Sequence, residues 1–313
     1  MKKMFVLFGV LGLCACAAVN KNTVSYQMSK YDLQDYYVIA GEGTDKSAAA
    51  ENALANMRQN IAQNVPDVND LSQQVEDLLA NAKIGKTWRD KNAGNAKKYF
   101  ALAVLKRKTG EGVLQTTAEE LDGRLGSLAG QLQTAQDKFA GLRAAFAMKP
   151  LLVKRNVLQD LYSFISQDHA GYEPARFDSY KKAYQDRLAA VKVIAQVRGE
   201  ENMILLSRIT DAVNQMGLTV AEPDDETALL SVEAEAQVDG YGSEKLKGLQ
   251  WVSTSAAISL RDLQAGTTFA RFNVQDRTGT GRQADSVRKS MQSIGDKASV
   301  EIVQRLNDYL KTK

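Results

Sequence analysis

The stretch Tyr36-Tyr37-Val38-Ile39-Ala40-Gly41-Glu42-Gly43-Thr44-Asp45 decides how the chain begins to fold. Aromatic and β-branched residues from Tyr36 to Ala40 predict a strand. Gly41 to Asp45 predict a turn, and Asp45 an N-cap for a helix from about Lys46 to Asn64. Ala50, Leu54, Met57, Ile61 and Val65 recur every three or four residues, so this helix should lay one apolar stripe on the strand.

Downstream, Pro66-Asp67 ends the helix, and Leu71, Val75, Leu78 and Leu79 predict a second one. Ile84 to Trp88 and Lys98 to Lys106 read as a hairpin across Asn92-Ala93-Gly94-Asn95. The near-continuous apolarity of Tyr99-Phe100-Ala101-Leu102-Ala103-Val104-Leu105 predicts a central strand. A small α/β domain over residues 35–110 follows. The basic pairs and triplets beside it, Lys97-Lys98 and Lys106-Arg107-Lys108, read as solvated strand ends, with contact to anionic lipid or cell-wall polymer as the second reading.

The strand with its Gly41-Glu42-Gly43 end, the alanine-rich run Ala48-Ala49-Ala50-Glu51-Asn52-Ala53-Leu54-Ala55-Asn56-Met57 and the final strand Lys98 to Leu105 resemble the LPP-twenty lipoprotein family. The same segment, about residues 31–110, is similar to the N-terminal part of flagellar assembly protein T. The resemblance implies a small α/β domain of envelope-associated proteins and brings no catalytic site with it.

A Gly-x-Gly between strand and helix can also present N–H groups to a phosphate. The spacing argues against that here. Asp45 stands where a P-loop needs glycine before its lysine, and Lys46 occupies the third glycine position of a dinucleotide fingerprint. The glycines are read instead as allowing a tight turn, through positive φ and close helix–strand approach.

Working back from the strand, residues 1–15 have a basic start, an apolar run and small residues at the end, the pattern of an export signal. That run is too short to span a bilayer. Leu13-Cys14-Ala15-Cys16 resembles a bacterial lipobox in which Cys16, after Ala15, is the acylated residue; Cys14, after Leu13, fits worse. Ala17, in place of aspartate, implies sorting to the outer membrane with the chain facing the periplasm. Residues 16–34 are read as a polar tether.

The chain carries 40 basic and 37 acidic residues. Loss of Lys2 and Lys3 with the signal leaves a near-neutral protein with no nucleic-acid footprint. The single His169 and the two N-terminal cysteines leave no Cys/His metal site, no thiol chemistry and no cofactor to expect, and His169 itself reads as a surface loop residue.

Residues 115–190 read as a helical region. Leu121, Leu125, Leu128, Leu132, Ala135, Phe139, Leu142 and Phe146 alternate spacings of four and three, a coiled-coil seam ended by Lys149-Pro150. Helices around Val157 to Ile165 and Phe177 to Leu188 would complete a bundle; a seam shared with another subunit, in a homo-oligomer, is the alternative.

Residues 191–313 predict an α+β domain. Val191 to Val197 reads as a strand, and Asn202 to Met216 as an amphipathic helix stopped by Gly217. Leu230, Val232, Ala234, Ala236 and Val238 alternate with Ser231, Glu233, Glu235 and Gln237, giving one dry and one wet sheet face. Two further strands, Val252 to Leu260 and Thr268 to Val274, make an antiparallel meander. A final helix carrying Val287, Met291, Ile294, Ala298, Ile302, Leu306 and Tyr309 should cover the dry face.

No residue set points to catalysis. Asp224-Asp225-Glu226 reads as a solvated loop, and Glu233 with Glu235 as a weak cation pair at most. Arg277, Gly279, Gly281 and Arg282 form the best anion-binding candidate, as a glycine-containing loop before a helix N-terminus. The expectation is an α+β, non-enzymatic outer-membrane lipoprotein. It would be held by its lipid anchor, take other envelope proteins as partners, and act as scaffold or assembly factor without a small-molecule substrate. The alternative is an accessory activator or adaptor of a cell-wall enzyme or of a flagellar or secretion ring.

Overall fold

Two glycines set the distance between the first strand and the first long helix. In the computed structural model, which describes residues 21–90, 98–135, 138–167, 171–199, 202–244 and 248–312, strand β1 (Tyr36–Gly43) runs through both of them, and helix α2 (Lys46–Asn64) follows after two residues. A Cβ on Gly41 would stand 2.6 Å from the Ala49 carbonyl oxygen, and one on Gly43 2.7 Å from the Ala48 carbonyl carbon. The expected turn over Gly41 to Asp45 is therefore strand up to Gly43. Positive φ plays no part there, and the glycines serve close approach alone.

That approach also shifts the buried stripe. Ala49, Ala53, Met57 and Ile61 face the sheet, whereas Ala50 and Leu54 are only half-buried. Against a strand bare of side chains, only a methyl group fits between the backbones, so alanines take the contact positions. Asp45 caps α2 as its sequence implies, accepting from the N–H groups of Ser47 and Ala48 at 2.9 Å each.

The chain divides into two compact units, Met1–Ala118 with Val157–Tyr172, and Glu119–Asn156 with Glu173–Lys313. The helical region is thus cut, with its segments assigned to both units.

In the first unit, β2 (Lys83–Arg89) and β3 (Tyr99–Lys106) complete an antiparallel sheet in the order β1-β3-β2, with β3 central. A 3-10 turn (Val68–Leu71) and α3 (Ser72–Asn81) bury Leu71, Val75, Leu78 and Leu79. On the face opposite α2, Val38, Trp88, Leu102 and Val104 form a cluster covered by Val24, Met28 and Tyr31. Val24 and Met28 belong to the short helix α1 (Val24–Met28), whose start is capped by Thr23. The supposed tether over 16–34 is accordingly structure from Lys21 onward. Trp88 Nε1 donates to the Asn22 carbonyl at 2.8 Å, fixing that strap to β2. Five helical residues are too few for a readable period.

Helix α4 (Arg107–Thr134) follows β3 directly, so Lys106-Arg107-Lys108 is not simply a solvated strand end. Arg107 is buried. Its Nε donates to the Leu33 carbonyl at 2.9 Å, and its Nη1 donates to the carbonyls of Phe164 and Ile165, in the last turn of α5 (Lys138–Ser166). A cation there satisfies open carbonyls at a helix C-terminus. Tyr37, under the Arg107 guanidinium, has its phenol pushed up by burial, partly offset by that charge.

The seam from Leu121 to Phe146 is not one helix. Helix α4 stops at Thr134 and α5 resumes at Lys138, and paired contacts within each unit run antiparallel: Gln115 with Tyr162 in the first, Asp122 with Arg155 in the second. A three–four spacing survives a short reversal that keeps phase, so it cannot separate one helix from two. Pro150 also fails to end α5. Met148, Leu151 and Leu152 around it are buried, and their burial outweighs the missing N–H bond and ring clash, worth ~3 kcal/mol.

The second unit contains α6 (Pro174–Ala189) and a five-stranded sheet ordered β5-β4-β6-β7-β8. Here β6 (Leu230–Glu244), β7 (Leu249–Asp262) and β8 (Thr267–Thr280) form the antiparallel meander. Strand β4 (Lys192–Gly199) pairs in parallel with β6 and with the short β5 (Thr219–Ala221), which it reaches through α7 (Asn202–Gln215). Gly217, at φ 80°, ends that helix region. Helix α8 (Gln283–Thr312) buries Met291, Ile294, Ala298, Ile302 and Leu306. It is fastened to the dry face by the Thr254–Ser290 hydroxyl pair at 2.7 Å and by Tyr309 stacked on Phe269. The fold is α+β. Among the described residues no helix is long and apolar enough to cross a membrane.

Candidate functional site

The sheet of the second unit has one sealed face and one open face. Strand alternation puts Val232, Ala234 and Ala236 under the helices and turns Glu233, Glu235 and Gln237 outward. Register then aligns rows across four strands. One row reads Gln196, Glu233, Ser259, Arg271, and the next Arg198, Glu235, Ala257, Asn273. Ala257, small and central, leaves a depression of about 290 Å³ walled by these side chains.

The depression carries both signs of charge. Arg261 Nη1 lies 3.5 Å from Glu233 Oε1, and Arg198 stands opposite Glu235 in the parallel register. Beside it, Asp239 Oδ1 accepts from the Ser255 hydroxyl and the Gln237 amide at 2.9 Å each. Such a surface can exchange ion pairs and hydrogen bonds with a polar chain laid across the strands. The cation reading of Glu233 and Glu235 gains nothing, since a guanidinium already holds one carboxylate. Among the described residues no three His, Cys, Asp or Glu side chains gather as metal ligands.

The anion candidate is rearranged. Strand β8 extends to Thr280, so Arg277 and Gly279 lie in the sheet and not in a loop. The Arg277 guanidinium sits 5.4 Å from the Trp251 ring centre, and a Cβ on Gly279 would come within 2.7 Å of that indole. The glycine exists to let Trp251 lie flat across the strand pair. Gly281 and the exposed Arg282 follow, and Ser286 binds this end back by accepting from the Thr280 N–H and donating to the Gln250 carbonyl. Of the four residues, two thus belong to the strand and two to the bend that leads into α8.

Asp225, from the acidic cluster, accepts from Lys192 Nζ at 2.7 Å and from Thr227. The lysine first, then the threonine bonds, hold its carboxyl at about 2. It thereby fixes the loop at the sheet's end. His169 and Cys16 lie outside the described residues.

Sequence reading missed the asparagines of α2. Asn52 and Asn56 donate to the carbonyls of Glu42 and Ala40 at 2.7 and 2.9 Å, and Asn60 accepts from the Tyr37 hydroxyl at 2.7 Å. Their i, i+4 spacing was the available signal. They close the outer edge of β1 against pairing by another strand.

No family model matches the chain, and no curated protein matches it in sequence. Among solved structures it is similar to a secreted protein from Helicobacter pylori, at 16% identity and a TM-score of 0.40 over 85% of this chain and 98% of that one. A minor lipoprotein from Acinetobacter baumannii matches at 10% identity and a TM-score of 0.30, over 39% of this chain and 94% of that one. A lipoprotein from Neisseria meningitidis matches at 11% identity and 0.27, over 37% and 99%.

Proposed function

We propose that the protein is a lipid-anchored envelope protein, fixed through Cys16 to the outer membrane on its periplasmic side, that acts without catalysis as a scaffold or assembly factor. Its first unit is read as an LPP-twenty-like domain: the glycine-ended strand, the alanine-rich helix and the central apolar strand that carry the resemblance pack together around Gly41 and Ala49.

The observation that carries the scaffold reading is the open face of the second unit. Four strands present aligned polar rows of mixed charge, while α7 and α8 seal the reverse side. A surface of this breadth and charge fits a protein partner better than a small substrate.

Site-specific photocrosslinking in intact envelopes tests it. A crosslinker at Asn273, on the open face, should trap one discrete partner, and Arg198→Glu with Arg271→Glu should abolish the adduct. A crosslinker at Val300, on exposed α8, should not trap it. Equal capture at both positions, or none at Asn273, contradicts the reading.

A further inference from the structure

The two edges of the first unit's sheet are treated differently. Asn52 and Asn56 close the edge of β1, whereas β2, at the other edge, leaves Lys83, Ile84, Gly85 and Lys86 exposed in succession. From Lys83 to Arg89 this strand holds three cations and no acid. Among the described residues none of the three has an ion-pair partner.

The strap that leads toward Cys16 lies along this strand. Trp88 is bonded to Asn22, and a Cβ on Gly85 would fall against the Tyr31 ring, at 3.2 Å from its Cζ. Lys21, itself exposed, is therefore beside β2. Four residues lie between it and Cys16, so the five steps of chain reach at most ~18 Å.

From this placement we infer that the β2 edge, through Lys83, Lys86, Arg89 and Lys21, rests on anionic phospholipid headgroups of the membrane that holds the anchor. The inference rests on the reading of Cys16 as lipidated, because the anchor brings the edge within reach. Fields from a charged surface fade within ~8 Å at physiological salt, so a short strap is what makes the cations effective. Each basic residue held at such a surface strengthens attachment roughly fivefold. The half-exposed Ile84 offers an apolar contact beside them.

The test uses the mature chain carrying Cys16→Ser, so its outcome does not depend on whether Cys16 is acylated. Sedimentation with vesicles of mixed phosphatidylglycerol and phosphatidylcholine should pull the protein down, and high salt should release it. Phosphatidylcholine alone should not retain it. Lys83→Gln with Lys86→Gln, both at exposed positions, should weaken attachment on the order of twentyfold. Lys46→Gln with Lys149→Gln, an equal loss of charge elsewhere, should leave it unchanged. Absence of a preference for phosphatidylglycerol, or equal losses from the two double variants, overturns the proposal.

Discussion

Arg155 and Asp122 form a fully buried ion pair between α5 and α4, with Nε 2.9 Å from Oδ1 and Nη2 3.4 Å from Oδ2. The guanidinium also lies 5.2 Å from the Phe177 ring centre, so it joins α4, α5 and α6 inside the second unit. Apolar side chains would fill the same space. The pair differs from them in being directional, since only one helix register brings fork and carboxylate together.

Removing one partner should be far worse than removing both. Asp122→Ala leaves a buried cation without a counter-charge and should cost ~3–5 kcal/mol, whereas Asp122→Leu with Arg155→Met should cost much less. Urea denaturation of the three proteins checks this. Equal losses for the single and double variants would mean that the charges do not balance each other.

Gly41→Ala should destabilise the first unit by ~2–4 kcal/mol, because the added methyl meets helix backbone, which cannot turn aside as a side chain can. Lys46→Ala, exposed in the first helical turn, should change stability by less than ~0.5 kcal/mol. Thermal unfolding measures both. Calorimetric titration with nucleotides should show no heat in either protein, and binding that disappears with Lys46 would restore the phosphate reading.

The low carboxyl value of Asp225 means that its stabilising contacts are complete above the ordinary carboxylate value, ~3.9, and are lost as pH falls toward about 2. NMR titration of the Asp225 side chain should place its midpoint near 2 in the native protein. Lys192→Met should move it up toward the ordinary range. A midpoint already there in the native protein contradicts the Lys192 contact.

Elements with a long, regular apolar pattern were legible from residues alone. The alternation from Leu230 to Val238 and the stripe of the last helix appear as expected, because each buries one face against a single layer. Three kinds of information were not. The shift from Ala50 to Ala49 follows from how closely two backbones meet, which periodicity does not encode. Pro150 inside α5 and the reversal between Thr134 and Lys138 depend on what packs around them. Arg107 reads as part of a solvated strand end and Arg155 carries no signal at all, because burial of a guanidinium is decided by partners distant in sequence, Leu33 and Asp122 among them. At the site, the polar face was visible in Glu233 and Glu235. Its rows were not, since they require the cross-strand register that places Arg271 and Arg198 beside them. The Arg277 to Arg282 segment misled because glycines suggest a loop, whereas Gly279 accommodates Trp251 within a strand.

Mass spectrometry of the mature N-terminus, combined with metabolic fatty-acid labelling, tests the account most directly. The account predicts a chain that begins at Cys16 and carries acyl groups there. Cys16→Ser should lose the label and leave the membrane fraction on a high-salt wash, while Cys14→Ser retains both. A native chain beginning at another residue without acylation, or label that persists in the Cys16 variant, would contradict the anchored envelope role.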